Sequence, residues 1–379
     1  MADRETDIIA RLAPGVASLD PPTWDRLAGD DPFLGFAFLA ALEQSGSVGP
    51  DTGWSPAPIL IEGEGGAVTA AAPAYLKGHS QGEYVFDHGW AEAFERAGGQ
   101  YYPKLQIAVP FTPVPGRRLL GAAPQQLLAA AEAVVARNGL SSAHITFVDA
   151  AGAAECERRG WLMLSGIQYH WLSRGYTDFD DFLGALTSRK RKAIRRERGA
   201  ARDGLDFVHF RGAAIGAAEW DAMWAFYQDT GSRKWGRPYL SREFFDRVAR
   251  TMDESLLLFL ALRDGRPIAG ALNLIGADTL YGRYWGATEE VPFLHFELCY
   301  YQAIEWAIAH GLTAVQAGAQ GEHKLARGYQ PVLTRSAHFI ADPGFRDAVA
   351  AFLDGEREAI AREFAWLSEA LPYRSSASA

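Results

Sequence analysis

The sequence predicts a mixed α/β protein of the α+β type, in which two halves each combine a mixed, largely antiparallel sheet with flanking helices. The chain has 379 residues, which is enough for two domains of ordinary size. Its 48% hydrophobic and 22% charged residues are typical of globular proteins and exclude disordered, collagen-like and coiled-coil chains. In each half, strand-like segments with glycine turns precede a segment with helical spacing. We therefore expect domains at 1–180 and 206–379, joined by a helical segment at 181–205.

The first half opens with a hairpin pattern. Apolar segments at 58–62 and 67–75 flank the turn at 63–66, which contains three glycines. Pro124 and the pair Asn138-Gly139 then bracket a segment with the start and stop signals of a helix. The other elements predicted here are a helix at 90–97, a strand beginning at 104 and a strand at 144–148.

The second half contains a three-stranded meander followed by a helix. Strands are predicted at 256–262, 267–275 and 280–287, and Asp264-Gly265 is a two-residue hairpin turn. Apolar residues then follow helical spacing to a terminating Gly311. The remaining predicted elements are a helix over 294–308, a strand at 312–317 and one or two amphipathic helices over 345–367.

Charge and cysteine content exclude several classes of protein. The net charge is −9 and the isoelectric point is about 5.5, so general attraction to DNA is not expected. Two cysteines cannot form a disulfide framework or a cysteine-rich zinc site in a chain of this length. The acidic N-terminus lacks the features of a signal peptide, and the longest aliphatic run, at 256–262, is too short to span a membrane. We expect a cytoplasmic protein without a bound metal.

A strongly basic segment interrupts this acidic chain. Residues 188–202 contain eight Lys or Arg residues and one acid, Glu197. On a helix, Arg191, Arg195, Arg198 and Arg202 form one stripe. Two interpretations stay open, a solvated connecting helix and a surface for a phosphate-rich ligand at 189–202.

The order of three strands, a helix, a strand and a polar loop resembles the GNAT acyltransferase fold, and two such halves resemble tandem GNAT proteins. The chain is further similar to the FemAB-like "peptidoglycan biosynthesis/recognition" family of predicted N-acyltransferases. The strings that carry this resemblance are FDHGWAEAFERAGGQYYPKLQIAVPFTPVPGRRLL, FLGALTSRKRKAIRRER, LYGRYWGA, LHFELCYYQAIEWAI and GAQGEHKLARGYQP. The resemblance implies acyl transfer, and Fem enzymes add amino acids to peptidoglycan precursors.

One loop of the first half resembles the pyrophosphate-binding loop of GNAT enzymes, which reads Arg/Gln-x-x-Gly-x-Gly/Ala at a helix N-terminus. Arg118, Gly121 and Ala123 match that pattern before the helix opened by Pro124, and Arg117 is adjacent. The alternative is a turn with two surface arginines. The equivalent loop of the second half, ATEEVPFL, has two glutamates that repel phosphate. We therefore expect acyl-CoA as a co-substrate held by the first half, and no tightly bound cofactor.

The candidate catalytic residues lie between glycines after the last strand of the second half. Lys324, before Gly328, resembles a lysine of Fem-like transferases that stabilises an oxyanion. Glu322 or His323 would act as the base, and Arg327 would bind substrate. A solvated polar loop is the alternative.

Further candidate substrate-binding residues lie on the preceding strand and helix. They are Arg283, Tyr284, Trp285, His295 and Glu297. His295 and Glu297 point in different directions on a helix, so we expect at most one of them to face the site.

The sequence therefore predicts a GNAT-type N-acyltransferase that moves an acyl group from acyl-CoA to a small-molecule amine, with peptidoglycan-precursor-like or amino-acid-containing molecules as candidate acceptors. One alternative is a Fem-like transferase that takes its group from aminoacyl-tRNA, bound through Lys190, Arg191 and Arg195. The other is a non-catalytic module that recognises a peptidoglycan precursor or a protein.

Overall fold

A computed structural model of the chain describes residues 9–235, 238–319 and 321–374. The described residues form two compact units, one made of 9–166 and 333–362 and the other of 167–332 and 363–374, apart from those gaps. Spatial compactness does not show which segments fold independently, so the domain ranges expected from the sequence stay a prediction. Among the described residues, no helix has both the length and the apolar character needed to cross a bilayer.

The first unit contains a small antiparallel sheet and part of a larger mixed one. The small sheet has the strand order β1-β3-β4-β7. In the larger one, β6 lies between antiparallel β5 and parallel β8, and β2 pairs with β5. The strands are β1 (Ile9–Leu12), β2 (Trp54–Pro56), β3 (Ile59–Glu62), β4 (Val68–Ala72), β5 (Ala74–Lys77), β6 (Lys104–Ile107), β7 (Leu120–Gly121), β8 (Ser142–Ile145) and β9 (Leu162–Leu172). The helices are α1 (Pro21–Ala28), α2 (Phe36–Gln44), α3 (His88–Arg96), α4 (Pro124–Asn138) and α5 (Ala150–Arg158).

The second unit contains the predicted meander, a crossover helix and a parallel strand. β10 to β13 pair consecutively and antiparallel, whereas β14 is parallel to β13 and antiparallel to the end of β9. The strands are β10 (Asp206–Arg211), β11 (Leu256–Arg263), β12 (Arg266–Ile275), β13 (Thr279–Ala287) and β14 (Ala314–Ala317), and β15 (Gln330–Ile340) begins here and continues into the first unit. The helices are α6 (Phe179–Ala185), α7 (Ser188–Arg202), α8 (Ala217–Trp235), α9 (Arg242–Thr251), α10 (Leu294–Phe296), α11 (Gln302–Ala309) and α12 (Pro343–Glu369).

Each unit has its own apolar core. In the first unit, Leu127 and Leu128 of α4 pack against strand residues such as Ile107 and Ile145. In the second, Leu298 and Ile304 belong to a core that also contains residues of β11 to β14. Each core therefore fixes a crossover helix against its sheet, which is the arrangement predicted from the apolar spacing.

Two differences from the predicted elements have a physical cause. The single strand expected at 67–75 is two strands, because Pro73 lacks the N–H needed to continue a ladder, and β4 and β5 pair in different sheets. The helix expected over 294–308 is continuous but contains a π-helical segment at Glu297–Tyr301. Such segments insert one residue into a helix and are frequent at functional sites.

The last part of the chain returns to the first unit. β15 pairs antiparallel with β8, with Ala337 opposite Ile145 and Ile340 opposite Ser142. Residues 343–362 of α12 also belong to the first unit. Neither this strand nor its return was predicted from the sequence, because a pairing across nearly two hundred residues leaves no local pattern.

Candidate active site

The candidate site begins where two parallel strands of the second unit stop pairing. Residues 279–282 of β13 pair with residues 314–317 of β14, and within the described chain the two strands are not paired beyond them. β13 continues to Ala287, whereas β14 ends and the chain turns at Gly318, whose φ of 75° is in the left-handed region. Crevices beyond the carboxyl ends of strands are where open α/β sheets bind ligands. The turn after β14 is therefore well placed to carry functional side chains.

Lys324 is the most unusual side chain of this turn. It lies in the 3-10 turn Glu322–Arg327 and is only 1% exposed. Its Nζ donates to Gly318 O at 2.6 Å, and among the described residues no recorded ion pair includes it. Burial lowers the pKa of Lys324 to about 8. A buried cation without a counter-ion can stabilise negative charge that develops beside it.

His170, which was not among the predicted site residues, lies close enough to Lys324 for the ammonium charge to affect the pKa of its imidazole. It belongs to β9, and one ring nitrogen is 3.2 Å from Gln168 Oε1. Burial, followed by the charge of Lys324, lowers the pKa of His170 to about 4. This imidazole is therefore neutral near pH 7 and does not compete as a second cation.

The structure joins His323 to the π-helical segment. His323 Nε2 and Tyr300 Oη are 2.9 Å apart and share a hydrogen bond. Burial, together with the charges of Arg327 and Lys324, lowers the pKa of His323. The imidazole is therefore neutral at pH 7 and can accept a proton. The other predicted base, Glu322, is exposed at the start of the same turn.

Arg327 maintains the shape of the turn, in contrast to its predicted role in binding substrate. Its Nη1 donates to His323 O at 2.7 Å, and its Nη2 donates to both carboxylate oxygens of Glu197 at 3.0 and 2.9 Å. Tyr301 donates its phenol hydrogen to the same carboxylate. The guanidinium also lies 3.5 Å from the ring centroid of Phe296. These contacts occupy Arg327, so it positions the turn.

Glu297, predicted to bind substrate, is instead part of a buried ion-pair network. The side chain is fully buried and accepts from Arg198 Nε at 3.0 Å and Nη2 at 2.9 Å. Arg202 donates to it at 2.9 Å, and Gln302 donates at the same distance. A carboxylate satisfied in this way holds α7 against the π-helical segment. The C-terminal part of the predicted arginine stripe is therefore structural.

The N-terminal part of α7 is basic, and most of its cations have no acidic partner within the described residues. Arg195 pairs with Asp180 at 2.9 Å, so the stripe is interrupted there as well. The residues for which no ion pair occurs within the described chain are Arg189, Lys190, Arg191, Lys192 and Arg196. A small cavity of about 260 Å³ is lined by Arg189, Lys190, Arg196 and Arg327 and also by Glu197, which pairs with Arg327. We call these unpaired α7 residues and the cavity the α7 basic patch.

A larger pocket opens at the end of β13. It has a volume of about 680 Å³, and we call it the β13 pocket. Two predicted substrate-binding residues, Trp285 and His295, line it with their ring centroids 5.1 Å apart. Tyr284 is not in the lining and packs against Tyr227 and Phe245, and Arg283 is also outside the lining. The lining consists of Thr230, Trp285, Ala287, Glu289, Glu290, Val291, Pro292, Phe293, Leu294, His295 and Phe296.

The loop predicted to hold donor phosphates in the first unit is structural. Arg118 is only 2% exposed, and its guanidinium donates to Thr146 O, Arg117 O and Val114 O at 3.1, 2.8 and 2.6 Å. Burial lowers its pKa to about 10. Each nitrogen of this guanidinium therefore has a carbonyl partner, and the burial of the side chain keeps it away from a phosphate in solvent.

Arg117 and Gly121, the neighbours of Arg118, also contact other parts of the first unit. Arg117 donates to the carbonyls of Leu27 and Ala28 at the end of α1. Gly121 pairs with Ala70 inside the small sheet, so its amide does not face a ligand. Ala123 is the N-cap of α4 and has no side-chain cap. The short pattern Arg-x-x-Gly-x-Ala also occurs in a turn that braces carbonyl groups, and the contacts of these residues do not favour the predicted donor site.

The first unit buries a second charged cluster that the sequence analysis did not identify. Lys104 Nζ donates to Glu83 at 2.9 Å, to Asp87 at 2.6 Å and to Ser80 Oγ at 2.8 Å. Lys77 lies 3.6 Å from the same Glu83. Both lysines are fully buried. The sequence signal was a lysine at one end of each of two otherwise apolar strand segments, AYLK and KLQI.

Comparison with known proteins identifies the fold and the family. The C-terminal domain of a protein assigned as lysylphosphatidylglycerol synthetase from Agrobacterium fabrum is 12% identical with a TM-score of 0.53, covering 94% of this chain and 100% of that one. FemX is 13% identical with a TM-score of 0.53, covering 88% and 98%. L-PGS from Bacillus licheniformis is 10% identical with a TM-score of 0.50, covering 91% and 98%. At these identities the likeness shows a shared fold with these proteins, and the predicted mixed α/β class is confirmed.

The family follows from the sequence match. Residues 15–375 match the FemAB-like family, described as peptidoglycan biosynthesis/recognition, so the chain belongs to that family. This confirms the resemblance noted in the sequence. No curated protein matches the chain. Among the described residues, no group of three or more His, Cys, Asp or Glu side chains is arranged to hold a metal ion.

Proposed function

We propose that the protein is an N-acyltransferase or N-aminoacyltransferase whose reaction takes place at the Lys324 turn of the second unit. The observation that carries this proposal is a buried ammonium without a counter-ion at the point where β13 and β14 diverge. Burying an uncompensated charge costs free energy, so its retention requires a reason. Family membership and the transferase-like fold support the same reaction class.

The chemistry requires three steps that these residues can serve. The acceptor amine attacks the donor carbonyl, a C–N bond forms, and the carbonyl oxygen becomes negatively charged. Lys324 Nζ stabilises that oxyanion. As the oxyanion collapses, the bond to the leaving group breaks, and the leaving group takes up a proton while the amine loses one.

His323 is the better placed of the two proton acceptors. It shares a hydrogen bond with Tyr300, which orients the ring, whereas the Glu322 side chain makes no such hydrogen bond within the described residues. The shared hydrogen bond fixes the imidazole near Lys324 in the same turn. We propose His323 as the base and keep Glu322 as the alternative.

The donor is proposed from the distribution of positive charge. Arg118 is occupied by carbonyl groups. The α7 basic patch is a cationic surface near the Lys324 turn, because Arg327 belongs to that turn and also lines the cavity of the patch. Phosphates of aminoacyl-tRNA or of acyl-CoA could bind there, and the length of the patch favours tRNA over the single pyrophosphate of CoA. Acyl-CoA is the second candidate donor.

A non-catalytic recognition module is the competing class of function. It would bind a peptidoglycan precursor or a protein without turning it over. The buried Lys324 argues against it, because a recognition surface gains nothing from an uncompensated buried ammonium.

The test is turnover by Lys324→Met, with Lys192→Met as the matched control. Methionine keeps the length of lysine but removes the cation, and losing one oxyanion donor lowers kcat by about 10² to 10³ with little change in KM. Lys192 is exposed on the α7 basic patch, so its variant should raise KM for the donor and leave kcat unchanged. Both variants are assayed with aminoacyl-tRNA and with acyl-CoA, and circular dichroism establishes folding. A folded Lys324→Met protein with wild-type kcat would favour the recognition module.

A further inference from the structure

The β13 pocket combines negative charge with aromatic rings, which is the chemistry that binds a cation. We infer that this pocket receives a protonated amine, so that the amine-bearing part of a substrate binds there. The inference rests on the proposed function in one respect, since it assumes that the pocket belongs to the transfer site. It adds the chemical class of the group recognised.

The charge of the lining favours a cation over a phosphate. Two carboxylates, Glu289 and Glu290, line the pocket, and among its described lining residues there is no lysine or arginine. Glu289 pairs with Arg263, whereas Glu290 is exposed and has no recorded ion pair in the described chain. Among the described lining residues, Glu290 is therefore a carboxylate without an ion pair, and its charge would repel a pyrophosphate.

The rings supply the second requirement. Aromatic faces attract a cation that approaches within about 6 Å of the ring centroid. Arg327 already lies over Phe296, which leaves Trp285 and Phe293 as ring surfaces for a ligand. Phe293 has a φ of 64°, unusual for a large side chain, and is 37% exposed. A strained backbone that keeps a phenyl ring at the mouth of a pocket is typical of functional positions.

Ring contacts connect the pocket to the proposed base. His295 lines the pocket and lies 5.3 Å from the Tyr300 ring, and Tyr300 shares its hydrogen bond with His323. An amine held by Glu290 and the rings would therefore be next to the residues that manage its proton. The pocket volume of about 680 Å³ exceeds that of one ammonium group and fits an amino-acid-sized moiety.

Two sources could supply such an amine, an acceptor with a side-chain-type amine and an aminoacyl group with an α-ammonium. The probes are n-pentylamine for the first source and L-leucinamide for the second. Neutral pentan-1-ol reports binding without charge, and inorganic pyrophosphate reports anion binding. Affinities are measured by isothermal titration calorimetry and by quenching of tryptophan fluorescence at pH 7.5, where n-pentylamine is protonated.

We expect at least one of the two amines to bind at least fivefold more tightly than pentan-1-ol. Glu290→Gln should weaken that amine at least fivefold and leave pentan-1-ol unchanged, because it removes only the charge. Glu369→Gln, the same change at an exposed glutamate of α12, should have no effect on either. Trp285→Leu should weaken the amine through loss of the ring face. The amine that binds more tightly identifies the source.

Equal affinity for amines and pentan-1-ol, or tighter binding of pyrophosphate in wild type than of either amine, would overturn the inference. Lys324→Met separates this failure from failure of the proposed function. If Lys324→Met keeps wild-type turnover while amines bind in a Glu290-dependent way, the transfer proposal fails and the pocket stands. If Lys324→Met abolishes turnover and no amine binds, the pocket assignment fails and the transfer proposal stands.

Discussion

Both units bury lysine side chains, Lys77 and Lys104 in the first and Lys324 in the second, and Lys104 and Lys324 differ in their partners. Lys104 donates to Glu83, Asp87 and Ser80, whereas Lys324 donates to one backbone carbonyl. Burial acts to lower the pKa of Lys104, but the two carboxylates outweigh it and raise that pKa above the ordinary value. For Lys324 burial dominates, and the pKa falls to about 8. Equal burial thus produces opposite electrostatics, and the lysine without a counter-ion is the one suited to chemistry.

The largest difference between the two lysines should appear in stability. Lys104→Met leaves Glu83 and Asp87 buried without their ammonium and should lower the free energy of unfolding by about 3–5 kcal/mol. Lys324→Met leaves no buried carboxylate without a partner. It should therefore lower the free energy of unfolding by less than about 1 kcal/mol. Urea denaturation measures both, with Lys192→Met as the surface control. Similar decreases in the free energy of unfolding for Lys104→Met and Lys324→Met would contradict the proposed difference between the two lysines.

The stability of the wild-type protein and that of Lys324→Met should depend differently on pH. Below pH 8 this lysine is protonated in both states. Between about 8 and its unfolded value of 10.5 the unfolded chain binds more protons, so wild-type stability rises with pH. Relative to Lys324→Met, wild type should gain up to about 3 kcal/mol over that window. Lys104 contributes in the opposite sense, since its stabilisation is lost as pH rises through its raised pKa.

A variant of Arg118 tests whether this arginine stabilises the first unit or binds the phosphates of a donor. Arg118→Ala removes the donors of three carbonyls and should cost about 2–3 kcal/mol of stability in the first unit. Binding of CoA or tRNA by the folded fraction should be unchanged. Arg137→Ala, an exposed change at the end of α4, serves as the control. A folded Arg118→Ala protein that loses donor affinity would restore the loop as a phosphate site.

Glu197 should give the smallest effect because it acts through other residues. Glu197→Gln weakens its hold on Arg327 and Tyr301 and should lower kcat by about tenfold, with KM for either substrate nearly unchanged. Glu197→Asp should recover part of that loss, since the charge is kept. Steady-state kinetics measure both variants. A change in KM alone would instead make Glu197 a binding residue.

The sequence predicted what is encoded locally and missed what joins distant segments. The meander followed from the Asp264-Gly265 turn and alternating apolar runs, and the polar turn at Lys324 was visible from its flanking glycines. The partners of Glu297 are Arg198, 99 residues away, and Arg202, 95 residues away. Ion pairs between elements so far apart leave no mark in a single sequence. Glu297 therefore looked available for substrate when it was already paired.

The same limit explains why the sequence did not reveal the contacts of Arg118. Its three acceptors lie on segments whose mutual approach depends on the finished fold, including Thr146, 28 residues away. An arginine that braces carbonyl groups and one that binds pyrophosphate look the same in a short motif. The lone acid of the basic segment, Glu197, was the better signal, because one carboxylate among eight cations usually has a specific partner.

The return of β15 to β8 has a consequence for biosynthesis. A ribosome completes β8 at residue 145, but its partner emerges only after the entire second meander has been made. Until then β8 exposes hydrogen-bonding groups along its unpaired edge to solvent and to other nascent chains. The first unit therefore cannot finish folding while translation is under way, and truncation before residue 330 should release chains that aggregate.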